Sequence, residues 1–240
     1  MWDSAISILL KRLGLLLKGN HHGVNLNYLL RSTHGMFLST EDFQKSMVLH
    51  EFLERDLSNE AKILFEEFKL KKESIANDSW DAEFSLFNLI FTLIKCNNFS
   101  FIVETGVANG TTTSAIMSAL DKNGNSGTLH SFDILPQAAK AYSGEGNWIF
   151  HLLPSKSAHK EMVRIINKLQ PSDLWIHDSD HGYRWQKFEY LLALRHLKPG
   201  GILISDDIDA SPAWGELAKT HFKKSFIILD SRKLIGIAIT

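Results

Sequence analysis

Apolar and polar residues alternate along the second half of the chain in a pattern typical of α/β proteins. Short apolar runs that favour β-strands are separated by segments with helical spacing. The predicted strands span residues 101–105, 128–133, 148–152, 173–177, 202–205, 225–229 and 234–239. Such alternation indicates a mostly parallel sheet covered by helices on both faces, and the last two runs lie too close together for a crossover helix. The pattern therefore predicts a doubly wound α/β fold whose seven-stranded sheet ends in an antiparallel hairpin.

The first part of the chain has helical patterns and polar loops. Residues 3–18 place their apolar side chains on one face of an amphipathic helix, and further helices are predicted to begin at Thr40 and Ser58. We predict a helical extension at residues 1–80 and a main domain at residues 81–240. The apolar face of the first helix has to pack on its own domain or on a second copy of the chain, which favours a homo-oligomer such as a dimer. A helix on a membrane surface is the alternative, and its polar face has few of the basic residues that this requires.

Composition narrows the class of protein. The 240 residues are 44% hydrophobic and 22% charged, which is typical of a globular protein, and the formal net charge is −1. A charge this close to zero argues against a nucleic-acid binder driven by bulk electrostatics. The single cysteine, Cys96, excludes an intramolecular disulfide and favours a reducing, cytoplasmic setting. No apolar run is long enough for a membrane span.

A glycine-containing turn follows the first predicted strand. Gly106 and Gly110 separate this strand from the helix that follows it, and turns of this kind let a ligand approach the backbone and the free N–H groups of a helix start. Asp133 ends the next strand, where a carboxylate can accept hydrogen bonds from the hydroxyls of a ribose. An aspartate that only caps the next turn is the alternative. The spacing of Gly106 and Gly110 differs from that of the dinucleotide-binding fingerprint, and the chain has no P-loop motif. We therefore predict an adenosine-containing ligand other than NAD or an ATP bound by a P-loop.

Three carboxylates end two neighbouring strands of the predicted sheet. Asp178 follows the fourth strand, and Asp206 and Asp207 follow the fifth. Because adjacent strands lie roughly 5 Å apart, these groups would repel one another unless a proton or a cation neutralised them. Oxygen ligands select hard ions, which favours Mg²⁺ over Mn²⁺ or Ca²⁺. A pair of aspartates that only begins a loop and caps the next helix is the alternative.

His181 lies three residues after Asp178, on the turn into a helix. A side chain with a pKa near neutrality can take the proton of a hydroxyl group during a transfer reaction. A histidine that only caps the helix or packs is the alternative. His177, in contrast, belongs to the strand itself, and we interpret it as structural.

Three motifs resemble those of a known family. The stretch Val-Glu-Thr-Gly-Val-Ala-Asn-Gly-Thr-Thr from Val103 resembles the first motif of class I S-adenosylmethionine-dependent methyltransferases. The stretches that begin at Leu174 and Pro199 resemble the fourth- and fifth-strand motifs of their cation-dependent O-methyltransferases and sugar-modifying relatives. The resemblance covers about residues 82–240 and implies a Rossmann-like methyltransferase fold, whose characteristic sheet ending the terminal hairpin matches.

The resemblance also implies roles for individual residues. Glu104 and the turn at Gly106 would line the methionine part of the cofactor, and Thr112 would bind its carboxylate. The remaining implied roles are ribose binding by Asp133, adenine contact by Ser155, cation binding by Asp178, Asp206 and Asp207, and proton removal by His181.

The sequence thus predicts a magnesium-dependent O-methyltransferase that acts on a hydroxylated small molecule. A sugar or a sugar-bearing metabolite is favoured as the acceptor, and a catechol is next. The extension at residues 1–80 would serve oligomerisation or cover the substrate. Two alternatives stay open: a hydroxylase-like relative on the same fold, and a catalytically degenerate methyltransferase fold that serves as a binding or scaffold protein.

Overall fold

The computed structural model describes residues 26–37, 39–45, 57–72, 76–77, 80–124, 127–229 and 233–240. Nine helices, one of them a 3-10 helix, and eight strands lie in these ranges. The α-helices are α1 Leu26–Ser32, α2 Thr40–Lys45, α3 Ser58–Lys71, α4 Phe84–Cys96, α5 Thr111–Lys122, α6 Ala158–Ile166, α7 Tyr183–His196 and α8 Ala213–Ala218, and the 3-10 helix is Pro136–Lys140. The strands are β1 Gly35–Phe37, β2 Phe101–Thr105, β3 Thr128–Asp133, β4 Asn147–Leu152, β5 Ser172–His177, β6 Leu197–Ser205, β7 Lys224–Leu229 and β8 Leu234–Ile239.

All eight strands form one sheet in the order β1-β7-β8-β6-β5-β2-β3-β4. β8 runs antiparallel to β6 and to β7, and the other neighbouring pairs are parallel. The order changes direction at β2, so the chain crosses from one half of the sheet to the other between β4 and β5. This confirms the predicted doubly wound α/β fold with a terminal antiparallel hairpin.

The sheet has one strand more than the sequence predicted. β1 pairs in parallel with β7, with Met36 opposite Ile227, and it lies in a segment that the polar composition indicated as loop. A strand of three residues is too short for its side-chain alternation to be recognised. The division of the chain at residue 80 stays a prediction, and the predicted helix at residues 3–18 lies outside the described residues.

Each face of the sheet carries its own hydrophobic core. Alternate residues of β5 point to opposite cores: Leu174 and Ile176 belong to one, which α4 and α5 cover, and Trp175 belongs to the other, which α6, α7 and α8 cover. All three side chains are fully buried. Central strands buried on both faces leave the carboxyl-end edge of the sheet as the place for polar side chains. No helix within the described residues has the length and hydrophobicity needed to cross a membrane.

Candidate active site at the carboxyl ends of the strands

A cleft of about 680 Å³ opens where β2, β3, β5 and β6 end. Its lining includes six of the residues that the sequence singled out: Gly106, Asp133, Ser155, Asp178, His181 and Asp207. The crevice outside the carboxyl ends of parallel strands is the usual ligand site of a doubly wound sheet. The fold therefore brings the predicted cofactor turn and the predicted chemical groups to one cleft.

The glycine turn depends on close backbone contact between β2 and β5. Gly106 has a φ of +82°, and a Cβ there would lie 1.9 Å from the carbonyl oxygen of Asp178. The N–H of Gly106 donates to the carbonyl of Phe132 at 2.9 Å, which fixes the turn to β3 as well. Ala108, in the same turn, also has a positive φ of 44°, a conformation that costs a residue with a side chain free energy. Only glycine at position 106 lets the three strand ends come this close.

Asp133 holds the turn from the neighbouring strand. Its Oδ2 accepts hydrogen bonds from the N–H groups of Val107 at 2.8 Å and Ala108 at 3.1 Å, and its Oδ1 accepts one from Leu135 at 2.8 Å. A carboxylate offers about four acceptor positions, so these bonds do not exhaust it. Asp133 therefore shapes the turn and still presents acceptor capacity to the cleft.

Glu104 lies behind the turn, outside the cleft lining. It is fully buried and accepts hydrogen bonds from the hydroxyls of Thr112, Thr113 and Ser131. Burial outweighs these bonds and raises the pKa of Glu104 to about 7. Thr112 and Gly110 are also buried outside the lining. Direct contacts of Glu104, Thr112 and Gly110 with a cofactor stay predictions. In the structure Glu104 accepts hydrogen bonds beneath the turn.

The sequence did not single out Trp80, which lines the cleft from the N-terminal side with 58% of its side chain exposed. The next residue, Asp81, accepts a hydrogen bond from the amide of Asn109 at 2.8 Å, and Asn109 in turn accepts one from the N–H of Ala76 at 2.6 Å. Asn109 belongs to the glycine turn, so these bonds fasten the segment before α4 to it. The sequence shows an asparagine inside the turn, but it does not show the hydrogen-bond partners of this residue, which lie about 30 positions away.

Asp178, Asp206 and Asp207 form an acidic centre, which contains a cation that the sequence did not reveal. The ammonium of Lys233 forms an ion pair with Asp206 Oδ2, lies 4.0 Å from Asp207 Oδ2, and is only 10% exposed. Burial opposes the charge of Lys233, but Asp206, Asp178 and Asp207 together raise the pKa of its ammonium. Burial, and then the charge of Asp206, raise the pKa of Asp178 well above its ordinary value. The three predicted carboxylates do converge, and Lys233 lies with them.

The donor set of this centre fits a hard divalent cation. All three carboxylates supply oxygen, and Asp206 Oδ1 is buried with no hydrogen-bond partner among the described residues. As arranged, however, the described residues contain no group of three histidine, cysteine, aspartate or glutamate side chains that could hold a metal ion. Asp206 Oδ2 is engaged by Lys233, and Asp207 has a strained backbone with a φ of 44°. The oxygen donors of the site fit a metal ion, but the ammonium of Lys233 is paired with an oxygen that the ion would need.

His181 lies beside the acidic centre on the cleft side. Its Nε2 is 3.9 Å from Asp178 Oδ1 and 3.7 Å from Asp207 Oδ2, and 25% of the side chain is exposed. Burial, reinforced by the neighbouring His177, lowers the pKa of His181 to about 4. The imidazole is therefore neutral at neutral pH and has a lone pair for a proton.

His177 is structural, in line with the expectation from its place in β5. The ring is fully buried and its Nδ1 forms a hydrogen bond with Glu189, which also accepts one from Thr105 at 2.6 Å. Its ring centroid lies 5.4 Å from that of His181, nearly at right angles. This buried network packs beneath the candidate base and ties β2 and β5 to α7.

The features of the fold and of the cleft agree with one class of enzyme. A glycine turn after β2, a carboxylate after β3, and a histidine among carboxylates after β5 and β6 are the features of class I methyltransferases that the sequence resemblance predicted. Residues 103–208 match a family model described as a methyltransferase domain, which spans the turn, the histidine and the acidic pair. The match confirms a methyltransferase domain over these residues.

Solved structures with the same fold include two O-methyltransferases. One is from Bacillus cereus, in complex with SAH, with a TM-score of 0.52 and 15% identity over 80% of this chain and 95% of that chain. The other is TomG from Streptomyces achromogenes, involved in tomaymycin synthesis and in complex with SAM, with a TM-score of 0.54 and 13% identity over 82% of this chain and 93% of that chain. No curated protein matches the chain. At these identities the structural likeness establishes the shared fold.

Proposed function

We propose that the chain transfers the methyl group of S-adenosylmethionine to a hydroxyl oxygen of a small molecule. The observation that carries this proposal is the position of His181, a neutral imidazole between Asp178 and Asp207 in the same cleft as the Gly106 turn. Methyl transfer to oxygen needs little from a protein beyond alignment and removal of the hydroxyl proton. A sugar or a sugar-bearing metabolite is the favoured acceptor, and a catechol is the next candidate.

The cofactor would bind along the ends of β2, β3 and β4. Asp133 would accept hydrogen bonds from the ribose hydroxyls, and Ser155, exposed in the cleft wall, would approach the adenine. The turn at Gly106 would hold the methionine part. The bound SAH and SAM in the Bacillus and Streptomyces neighbours support this choice of cofactor.

In the proposed reaction the acceptor oxygen attacks the methyl carbon of the sulfonium. A new O–C bond forms, the S–C bond breaks, and its electron pair stays on sulfur, which gives S-adenosylhomocysteine. The hydroxyl proton passes to the imidazole of His181. Asp178 and Asp207, at 3.9 and 3.7 Å from its Nε2, would stabilise the imidazolium.

A hard divalent cation, magnesium first, would be held by Asp178, Asp206 and Asp207, and when bound it would lower the pKa of an acceptor hydroxyl. Its support is the oxygen donor set and the unpartnered Oδ1 of the fully buried Asp206. A cytoplasmic location and assembly through the N-terminal helices remain predictions from the sequence.

The test combines cofactor binding with a screen of acceptors. Calorimetry with S-adenosylmethionine is expected to show binding, and the pure protein with labelled cofactor is expected to methylate a hydroxylated sugar or a catechol. His181→Ala is expected to lower kcat by about 10²- to 10⁴-fold, the usual contribution of a general base, and to leave cofactor affinity unchanged. His221→Ala, at an exposed histidine after α8, is the control and keeps full activity.

Four outcomes would contradict parts of the proposal. Absence of cofactor binding would favour the scaffold alternative. Full activity in His181→Ala would exclude the base role, and lost cofactor affinity in that variant would reassign His181 to binding. Activity that persists in a strong chelator would exclude the divalent cation.

A further inference from the structure

Lys233 holds a position that a bound metal would need. Its ammonium is paired with Asp206, whose side chain is fully buried, and lies 4.0 Å from Asp207. These are two of the three carboxylates that are proposed to bind the divalent cation. An ammonium and a divalent cation on the same carboxylate oxygens would repel each other strongly in a buried setting.

The backbone around Lys233 holds this side chain at the acidic centre. The next residue, Leu234, donates its N–H to Asp209 Oδ1 at 3.2 Å, and its carbonyl accepts the N–H of Ile208 at 3.1 Å. Both partners belong to the loop that follows Asp207. The start of β8 is thus fastened to the loop after β6, and the lysine stem leads from there to the carboxylates.

The cleft offers the ammonium another position. Lys233 is among the residues that line it, along with Asp178, His181 and Asp207. Displacement would turn its flexible four-carbon stem away from Asp206 and toward this cleft. Asp206 Oδ1, unpartnered among the described residues, marks the point where a second cation would first find a ligand.

We propose that Lys233 is the resident cation of the acidic centre and that a divalent cation binds there only by displacing its ammonium from Asp206. The inference rests on the proposed metal site of the methyltransferase. Metal binding is then an exchange of one cation for another, and the ion pair sets the concentration of metal at which the site fills. The released ammonium faces the cleft, where the acceptor is proposed to bind.

The experiment measures Mn²⁺ and Mg²⁺ affinity of the full chain by calorimetry, with free Mn²⁺ followed by electron paramagnetic resonance. Lys233→Met keeps most of the length of the side chain and removes the competing charge. We expect it to bind Mn²⁺ on the order of tenfold or more tightly than the wild type, because close ion pairs have coupling energies of at least this size. Lys233→Arg keeps the charge and is expected to stay near the wild type.

Two further variants make the comparison specific. Lys198→Met breaks a lysine–aspartate pair of 2.6 Å with Asp173, at the opposite end of β5, and is expected to leave Mn²⁺ affinity unchanged. Asp206→Asn is expected to abolish Mn²⁺ binding in both the wild-type and Lys233→Met backgrounds, which would locate the ion at the acidic centre. Without metal, Lys233→Met is expected to melt at a lower temperature than the wild type, and Mn²⁺ to raise its Tm more.

A measurement on the wild type covers the case in which Lys233→Met does not fold. An amine-acylating reagent is applied with and without Mn²⁺, and the labelled peptide is quantified by mass spectrometry. Displacement predicts faster labelling of Lys233 with the metal present. An unchanged labelling rate would overturn the proposal.

The binding results separate this inference from the proposed function. Equal or weaker Mn²⁺ binding by Lys233→Met would overturn the role of Lys233 and leave methyl transfer untouched. No Mn²⁺ binding by either protein would overturn both this role and the proposed metal. S-adenosylmethionine binding is measured on the same samples, and its absence would overturn the methyltransferase function without altering the comparison of metal affinities.

Discussion

The buried carboxyl beneath the glycine turn predicts an unusual dependence of stability on pH. Glu104 is fully buried, and its pKa in the folded protein is raised to about 7, chiefly by burial. In the unfolded chain a glutamate titrates near its ordinary value of about 4.5. Between these two values the folded state binds more protons than the unfolded state, so the free energy of unfolding falls as pH rises through this window.

The magnitude follows from the size of the shift. A change from 4.5 to about 7, at about 1.4 kcal/mol for each pKa unit, corresponds to about 3 kcal/mol. This stability is fully present below about pH 4.5 and is lost as pH rises through about 7. Glu104→Gln removes the titration and resembles the protonated side chain in shape. The glutamine can still accept a hydrogen bond from Thr112 or Thr113 and donate to the other hydroxyl.

The assay is urea denaturation of the wild type and Glu104→Gln at several values between pH 5 and pH 8. We expect the variant to gain up to about 3 kcal/mol relative to the wild type across this range. Glu66→Gln, at an exposed glutamate of α3, is the control and is expected to follow the wild type. A stability difference between Glu104→Gln and the wild type that does not change with pH would refute the reasoning.

Two further predictions concern the turn itself. Replacement of Asp133 by alanine leaves three backbone N–H groups without their acceptor. Since hydrogen bonds to a charged group are each worth about 1.5–3 kcal/mol, calorimetry is expected to show at least a tenfold loss of S-adenosylmethionine affinity. Unchanged affinity would contradict the role of Asp133. Gly106→Ala places a Cβ 1.9 Å from a backbone oxygen and is expected to cost at least about 3 kcal/mol in thermal or urea unfolding. The matched control is Gly200→Ala, where φ is +80° and no described atom lies within 4 Å of the added Cβ, so only about 1–2 kcal/mol of backbone strain is expected; equal losses in the two variants would show that the contact with Asp178 does not matter.

Local pattern was sufficient for most of the fold. The seven predicted strands are present, and most of them are runs of apolar residues between turn residues, because a central strand must be apolar on both faces. The antiparallel hairpin followed from the short connection between its strands. The short strand β1, Gly35–Phe37, could not be predicted in this way, because it forms by pairing with the edge of β7 and has no strand pattern of its own.

The candidate site, like the fold, has features that could be predicted from the sequence and others that could not. Gly106, Asp133, Asp178, His181 and Asp207 could be identified because strand ends are recognisable in a sequence and parallel strands present their carboxyl ends at one edge. The same rule placed Glu104 near the turn. It could not tell that its side chain points beneath the turn, because the direction of a side chain at a strand end depends on the register of the sheet.

The amino-acid pattern was enough to assign the class of the domain and to place the carboxylates and His181 at one edge of its sheet. The cation that neutralises the carboxylates became visible only in the folded chain. Lys233 reaches Asp206 because β8 lies beside β6, a pairing of residues 27 positions apart, and Trp80 reaches the cleft because Asp81 binds Asn109. The physical reason is that charge pairing and cleft lining depend on distances in space, and the positions of these partners along the chain carry no periodic signal.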